Sequence, residues 1–407
     1  MEKPELLAPG GSLEKLKYAI DFGADAVYIG GSKLNLRAFA DNFTNDEIKE
    51  GVDYAHSRCK RVYVTLNVFP HNKDIEGLTE YLKELSDLNI DAIIASDPGI
   101  IMTIREAIPN MEIHLSTQAN NVNYKSAIFW HNFGVKRVIL ARELNISEIK
   151  EIREKTPGSL EIEAFVHGAM CMAYSGRCML SNYMTGRDSN RGECAQPCRY
   201  KYYLMEEKRE GQYFKVFEDD KGTYILNSKD MCTIEHIPEL VQSGITSFKI
   251  EGRMKSSYYV ASIVKAYRSA IDSYFEDKEN YKVKDEWLRD VDRVSHREYY
   301  TGFYFNDKNS QIHKTSSYIR NYDIVGIVLN YDKKNKICEI EQRNKVFEGD
   351  QVEVLRPVGD NIRLKLINII SEDGEKIDST KVAQMHYFIN TDIELSKNDM
   401  LVKAKEE

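Results

Sequence analysis

Eight short apolar runs recur between residues 5 and 252, each followed by a stretch with helical spacing, and this alternation constrains the chain more than any other feature. The runs are ELLAP (5–9), DAVYIG (25–30), RVYVTLN (61–67), DAIIAS (91–96), EIHLST (112–117), KRVILA (136–141), LEIEAFVH (160–167) and SFKIEG (247–252). Strands joined through helices must run parallel, and eight such units close on themselves. The expected fold class is therefore α/β, a (β/α)8 TIM-like barrel. The helical stretches fit it: in SLEKLKYAIDFG (12–23), Leu13, Leu16, Ala19 and Ile20 share one face and Gly23 stands where a C-terminal cap belongs. A doubly wound open sheet is the rival, but the glycines of APGGS (8–12) do not make up the dinucleotide-binding fingerprint.

One connection breaks the rhythm. After the seventh run, more than sixty residues pass before the next helical stretch, SKDMCTIEHIPELVQSG, and five of the seven cysteines fall there. A connection that long inside a compact domain carries function or structure of its own. Its aromatic-rich second half, YKYYLMEEKREGQYFKVFEDDKGTYILNS, predicts a small antiparallel sheet. The organisation read from these patterns is a barrel over 1–275 that includes a Cys-rich insert at 168–231, a charged linker region at 276–320, and a C-terminal small β-barrel domain over 321–407. The last rests on the period-two runs IVGIVLNY, ICEIEQR and DQVEVLRP.

Composition narrows the function classes. Hydrophobic residues at 42% and charged residues at 29% describe an ordered chain. The net charge of -8 gives no general attraction to nucleic acid or to an anionic membrane. Around the cysteines the balance reverses locally, with Arg177, Arg187, Arg191, Arg199 and Lys201 against Asp188 and Glu193. That patch is either a solvated loop surface or a phosphate-contacting face. Met1 to Leu7 carries no leader pattern and no run reaches the 18 to 20 apolar residues of a membrane span, so a cytoplasmic protein with no membrane partner is expected. An odd number of cysteines in a reducing compartment argues against a disulfide framework.

In a parallel barrel the loops at the C-terminal ends of the strands build the site. The polar residues expected there are Asn67, Asp97, Gln118, Asn120, Arg142, Glu143, Glu163, His167, Lys249, Glu251 and Arg253. Any one of them alone is more readily a helix cap or a satisfied loop group than a catalytic residue. Glu163, Phe165 and His167 stand at even spacing on the seventh strand, which points all three to one side. The cysteines follow the spacing Cys171-x6-Cys178-x15-Cys194-x3-Cys198-x33-Cys232. Thiolate-rich sets select zinc or iron-sulfur, and iron-sulfur tolerates the more irregular spacing. Free buried cysteines are the bland reading, and a nucleophilic Cys171 paired with His167 as its base is a further one. Neither a G-x-S-x-G elbow nor an H-E-x-x-H helix is present.

The segment EAFVHGAMCMAYSGRCMLSNYMTGRDSNRGECAQPCRY resembles the signature of the collagenase-like peptidase family of unknown catalytic type, the family numbered thirty-two in that class. ELLAPGGSLEKLKYAIDFGADAVYIGG, SKDMC and KIEGRMKS resemble it too, so the likeness covers about residues 4 to 305, and the tail resembles the small β-barrel appended in many members. Branches of this family hydroxylate a wobble uridine of tRNA, a cytidine of 23S rRNA, or ubiquinone, and length with the appended tail fits the tRNA branch best. The resemblance implies a 4Fe-4S cluster held by Cys171, Cys178, Cys194 and Cys232, with Cys198 the competing third ligand. It further implies tRNA as partner and prephenate as hydroxyl source. Glu163, His167 and Arg253 are the residues expected to orient substrate. The family name keeps a peptidase working through a Cys/His or metal site as the alternative, and a subunit role beside a related protein partner as a third reading.

Overall fold

The computed structural model describes residues 2–34, 42–170, 178–199, 203–205, 213–215, 229–305 and 318–405. The first seven apolar runs form β1 (Glu5–Pro9), β2 (Ala26–Gly30), β3 (Arg61–Leu66), β4 (Ala92–Ala95), β5 (Glu112–Leu115), β6 (Arg137–Ile139) and β7 (Glu161–Ala169). The eighth, Ser247–Ile250, pairs in parallel with both β7 and β1 and so closes the ring. Every residue of β2 and β4 is buried, because side chains fill the barrel and helices cover its outside. Local chemistry sets the helix starts. Ser12 accepts from the Lys15 amide, and Thr44 with Glu47 and Asn145 with Glu148 form reciprocal capping boxes.

The Cys-rich connection leaves β7, forms the short helix Leu180–Thr185 and contributes an antiparallel pair, Tyr203–Met205 with Tyr213–Lys215. It returns as the strand Asp230–Cys232, antiparallel to β7, with Cys232 opposite His167. The stretch read as a charged linker holds more structure than its composition implied. Within 276–320 lie the helix Asp285–Asp292 and the strand Tyr299–Tyr300, which extends the barrel sheet by pairing with Asp230–Cys232. The charges of this helix mostly face water, while Trp287 and Val291 are buried beside the long helix Ser257–Glu276.

Beyond it, seven antiparallel strands between Tyr322 and Ala404 form a half-barrel around Val328, Ile340, Val354, Tyr387, Ile389 and Leu401. A buried polar seam fastens this domain to the barrel. Arg293 bridges Asp290 at 3.1 Å and Glu353 at 2.6 Å, and Lys265 donates to the Asn361 side chain at 2.7 Å. Asn361 in turn donates to Asp290 at 2.9 Å. Burial pushes the Asp290 carboxyl up to about 6, against the opposing pull of Arg293 and Lys265. A carboxyl raised by folding stabilises most when protonated, so its favourable contribution is complete below about 4 and is lost as pH rises through about 6. Asp290→Asn removes that dependence. Between pH 4 and 7 the variant should gain stability over the parent, on the order of 2 kcal/mol by urea unfolding; a pH-independent difference would contradict the seam's electrostatics.

Candidate functional site

A column of charge runs up the inside of the barrel. Arg137, at the start of β6, meets Glu5 at 2.5 Å, Glu161 at 2.7 Å and Glu163 at 3.1 Å. The other carboxylate oxygen of Glu163 holds Lys249 at 2.8 Å, and the Tyr63 hydroxyl donates to Glu5 at 2.7 Å. Glu163 is fully buried. Burial alone would raise its carboxyl, but Lys249 and Arg137 together hold it below the ordinary range. Glu163 therefore stays ionised under the mouth and anchors Lys249, which reaches above it.

At the C-terminal ends of the strands Lys249 enters a small pocket together with Arg142, Arg253, Glu251, Asn67 and Gln118. Phe165, Ile94 and Ile139 form its apolar side. The Lys249 ammonium lies 4.6 Å from the Tyr28 ring and 5.5 Å from Phe165, and the Arg142 guanidinium lies 4.8 Å from Phe165. Arg142 also donates to the Ala169 carbonyl at 2.8 Å, and Arg253 to the Asn42 side chain at 3.4 Å. Two glycines make the close approach of Arg253 possible. A β-carbon at Gly30 would lie 2.2 Å from its guanidinium, and one at Gly11 would lie 1.9 Å from its backbone oxygen. Of the other polar residues anticipated at the mouth, Asp97 caps the helix Pro98–Ala107 by accepting from the Gly99 and Ile100 amides.

Even spacing placed Glu163, Phe165 and His167 on one side of β7, and the structure corrects this. The register slips between Lys249 opposite Phe165 and Ile250 opposite His167, passing over Val166, so β7 bulges there. Phe165 stays in the mouth, while His167 turns into a buried aromatic cluster with Tyr259, Tyr267 and Tyr299. Tyr267 has one proton and gives it to the Val166 carbonyl at 2.8 Å, so the imidazole Nδ1, 3.4 Å away, is the donor to its oxygen. Burial, with His296 and Lys255, lowers the His167 pKa to about 3 and keeps the ring neutral.

Cys232 faces the same cluster, its sulfur 3.9 Å from the Tyr267 oxygen, and burial pushes its thiol up to about 11. Cys178, Cys194 and Cys198 belong to the described part of the insert and, like Cys232, are partly buried. The insert is tied to the mouth: Arg191 pairs with Asp74 at 2.9 Å and donates to the Phe69 carbonyl, and the Phe69 amide donates to Asn190. The Gln196 amide donates to the Cys194 sulfur at 3.4 Å. Reduced cysteines on a segment pinned to the mouth have the donor chemistry of a thiolate-bound group. Cys171 lies outside the described residues, and among the described residues no three His, Cys, Asp or Glu side chains converge as a metal site would require.

Sequence reasoning singled out Glu163 and Arg253 but not the residues that position them. Arg137 opens its strand, and its even spacing from Ile139, which lines the pocket, was the usable signal. Gly11 read as part of a turn and Gly30 as the end of a strand, although the role of both is steric.

Fold and mouth together define a parallel-barrel protein with a cation-lined pocket at its C-terminal mouth and a cysteine-bearing insert after the seventh strand. The chain belongs to Peptidase family U32, whose profile matches residues 11–314, while the profile of the Peptidase family U32 C-terminal domain matches residues 320–401. It is 44% identical to tRNA hydroxylation protein P1 of Bacillus subtilis (strain 168), over 99% of this chain and 96% of that protein. It is 37% identical to tRNA hydroxylation protein P of Haemophilus influenzae, over 98% of this chain and 96% of that protein. The 23S rRNA 5-hydroxycytidine C2501 synthase of Escherichia coli (strain K12) shares 37% identity over 67% of this chain and 40% of its own length. Among the described residues no helix is long and apolar enough to cross a membrane.

Two substitutions test the architecture of the site. Glu163→Ala leaves Lys249 and Arg137 short of a buried carboxylate and should cost about 3–5 kcal/mol in chemical unfolding. Gly11→Ala drives a β-carbon into a backbone oxygen that cannot swing aside and should cost about 1–3 kcal/mol. If either variant unfolds like the parent, the buried column or the Arg253 cradle is wrongly drawn.

Proposed function

We propose that this chain is an RNA hydroxylase that forms 5-hydroxyuridine at the wobble position of tRNA. The observation that carries the reading is the 44% identity to a tRNA hydroxylation protein along 99% of the chain, which takes in barrel, insert and half-barrel together. In this reading Cys171, Cys178, Cys194 and Cys232 hold a 4Fe-4S cluster, with Cys198 the competing third ligand. Such a cluster, when bound, supplies one-electron redox chemistry. Prephenate is the proposed hydroxyl source.

The chain's own residues have separable tasks. Arg142, Lys249 and Arg253 put positive charge at the floor of the mouth, and Glu163 holds Lys249 in place from below. Gln118 and Asn67 offer amide groups for hydrogen bonds. His167 is neutral and buried beside Cys232, so its part is to fix that corner of the insert rather than to take a proton from substrate. The peptidase alternative pairs His167 with Cys171, which lies outside the described residues; Cys232 does not suit the nucleophile's place in it. A nucleophilic cysteine needs a lowered thiol pKa and a basic partner, whereas Cys232 is pushed up to about 11 and His167 is lowered to about 3.

The test is nucleoside mass spectrometry of tRNA from a strain lacking its own wobble-uridine hydroxylation, complemented with this chain. Restored 5-hydroxyuridine is the expected result, and unmodified uridine refutes the reading. Anaerobically reconstituted protein should carry about four irons per chain. Cys178→Ser and Cys232→Ser should each lose the visible charge-transfer absorbance together with the modification, while colourless, iron-free parent protein would rule out the cluster.

A further inference from the structure

We propose that the outer face of the insert helix Leu180–Thr185 is a stacking platform for an unpaired RNA base, with the Tyr183 ring at its centre. Tyr183 is 89% exposed, and Met179, one turn earlier on the same side, is 74% exposed. Met184 beside them is exposed as well. A ring held out in water to this degree adds almost nothing to the fold, because it buries so little area. Phe129, on the barrel helix Tyr124–Asn132, is also exposed, but its ring lies 5.3 Å from Trp130 and 6.2 Å from Phe133. Among the described residues no such ring neighbour holds Tyr183.

The platform has a firm seat. Ser181, two positions before Tyr183, stands on nearly the opposite side of the helix and is fully buried. Its hydroxyl accepts from the Ala195 amide at 3.0 Å, and its carbonyl accepts from the Thr185 hydroxyl at 2.7 Å. The Ser189 hydroxyl donates to the Cys178 carbonyl at 2.5 Å, and Gly186 ends the helix in the left-handed conformation with its amide donating to the Asn182 carbonyl at 2.8 Å. The helix is thus clamped between Cys178 and the residue after Cys194, so its backbone loses little further freedom when a base settles on the outer face.

Charge decides between RNA and a protein as the occupant. Between Glu163 and Asp188 the chain has no Asp or Glu, whereas Arg177 and Arg187 fall in that interval, in a chain with 64 acidic residues among 407. A phosphate backbone that approaches the helix meets no carboxylate from it. Asp188 accepts from the Asn190 amide at 2.9 Å and Arg191 is paired with Asp74, so the positive surplus nearby is small. Stacking rather than ion pairing therefore carries the contact, and it requires an unpaired base, which a loop presents and a duplex does not. The inference rests on the RNA reading for its ligand and adds the place on the chain where that RNA is held.

Fluorescence anisotropy of the purified, anaerobically reconstituted full-length chain tests it, with two labelled probes: an RNA hairpin whose loop carries unpaired uridine, and a blunt duplex of the same stem. Tyr183→Ala and Tyr183→Leu should each weaken hairpin binding at least about fivefold. Duplex binding and the slope of log affinity against log salt should stay unchanged, because stacking neutralises no phosphate. Tyr183→Phe, which keeps the ring, and Phe129→Ser, on the outside of the barrel, should bind as the parent does. Tyr183 buries too little for these changes to unfold the chain. Parental hairpin binding by Tyr183→Ala overturns the platform, as does binding retained by Tyr183→Leu, which would mark an apolar contact suited to a protein partner. Equal loss on hairpin and duplex, or no hairpin binding by the parent, overturns it too. Hairpin binding that depends on the Tyr183 ring, without 5-hydroxyuridine in the complemented strain, refutes the hydroxylation reading and leaves the platform standing. Modification restored by the parent and by Tyr183→Ala alike, with equal hairpin binding, does the reverse.

Discussion

The buried contact between Arg137 and the carboxylates of Glu5, Glu161 and Glu163 is the interaction on which the site depends. Ionised groups inside a barrel are tolerated when each has an opposite charge at hydrogen-bonding distance, because desolvation otherwise exceeds the attraction. Here the neutralisation proceeds in steps from β1 across β6 to β7 and on to Lys249, which delivers a cation to the C-terminal mouth. An ammonium buried this deeply would be expensive without Glu163 beneath it. The column thus supports the barrel interior and, at its upper end, sets the charge of the pocket.

Everything above the column follows from how closely the chain can pack there. Gly11 and Gly30 remove the two β-carbons that would meet Arg253, so the first two βα turns and the eighth strand share one space. The bulge in β7 separates two environments that the strand would otherwise merge. Phe165 stays with the cations of the pocket, and His167 joins the tyrosines and Cys232. A charged mouth and an aromatic, thiol-bearing corner therefore lie within a few residues of each other on one strand. Arg191 and Asp74 fasten the described part of the insert to the segment that follows β3.

Much of this was legible beforehand. The eight apolar runs fall on the eight barrel strands because a parallel strand buried on both faces must be apolar along its length, which leaves a strong mark. The family signature was legible too, in the segment that carries the cysteines. Arg253, singled out from the sequence, lines the mouth, and Glu163 holds Lys249 rather than facing the mouth itself. His167 could not be placed by its spacing, since one unpaired residue in a ladder reverses the side-chain alternation and leaves no trace in composition.

By itself, the sequence determined the repeating strand-helix order, the interruption after the seventh strand, the clustering of thiols within it and the separate half-barrel at the end. These are local or periodic properties, written in neighbouring residues. Only the tertiary structure decided which charges meet. Glu5, Arg137, Glu163 and Lys249 are separated by as many as 244 positions along the chain and become one column only when the barrel closes β1 against its eighth strand. Nothing local distinguishes an arginine that will face the barrel interior from one that will face water, so the pocket's charge, and with it the kind of molecule it can hold, is a product of closure.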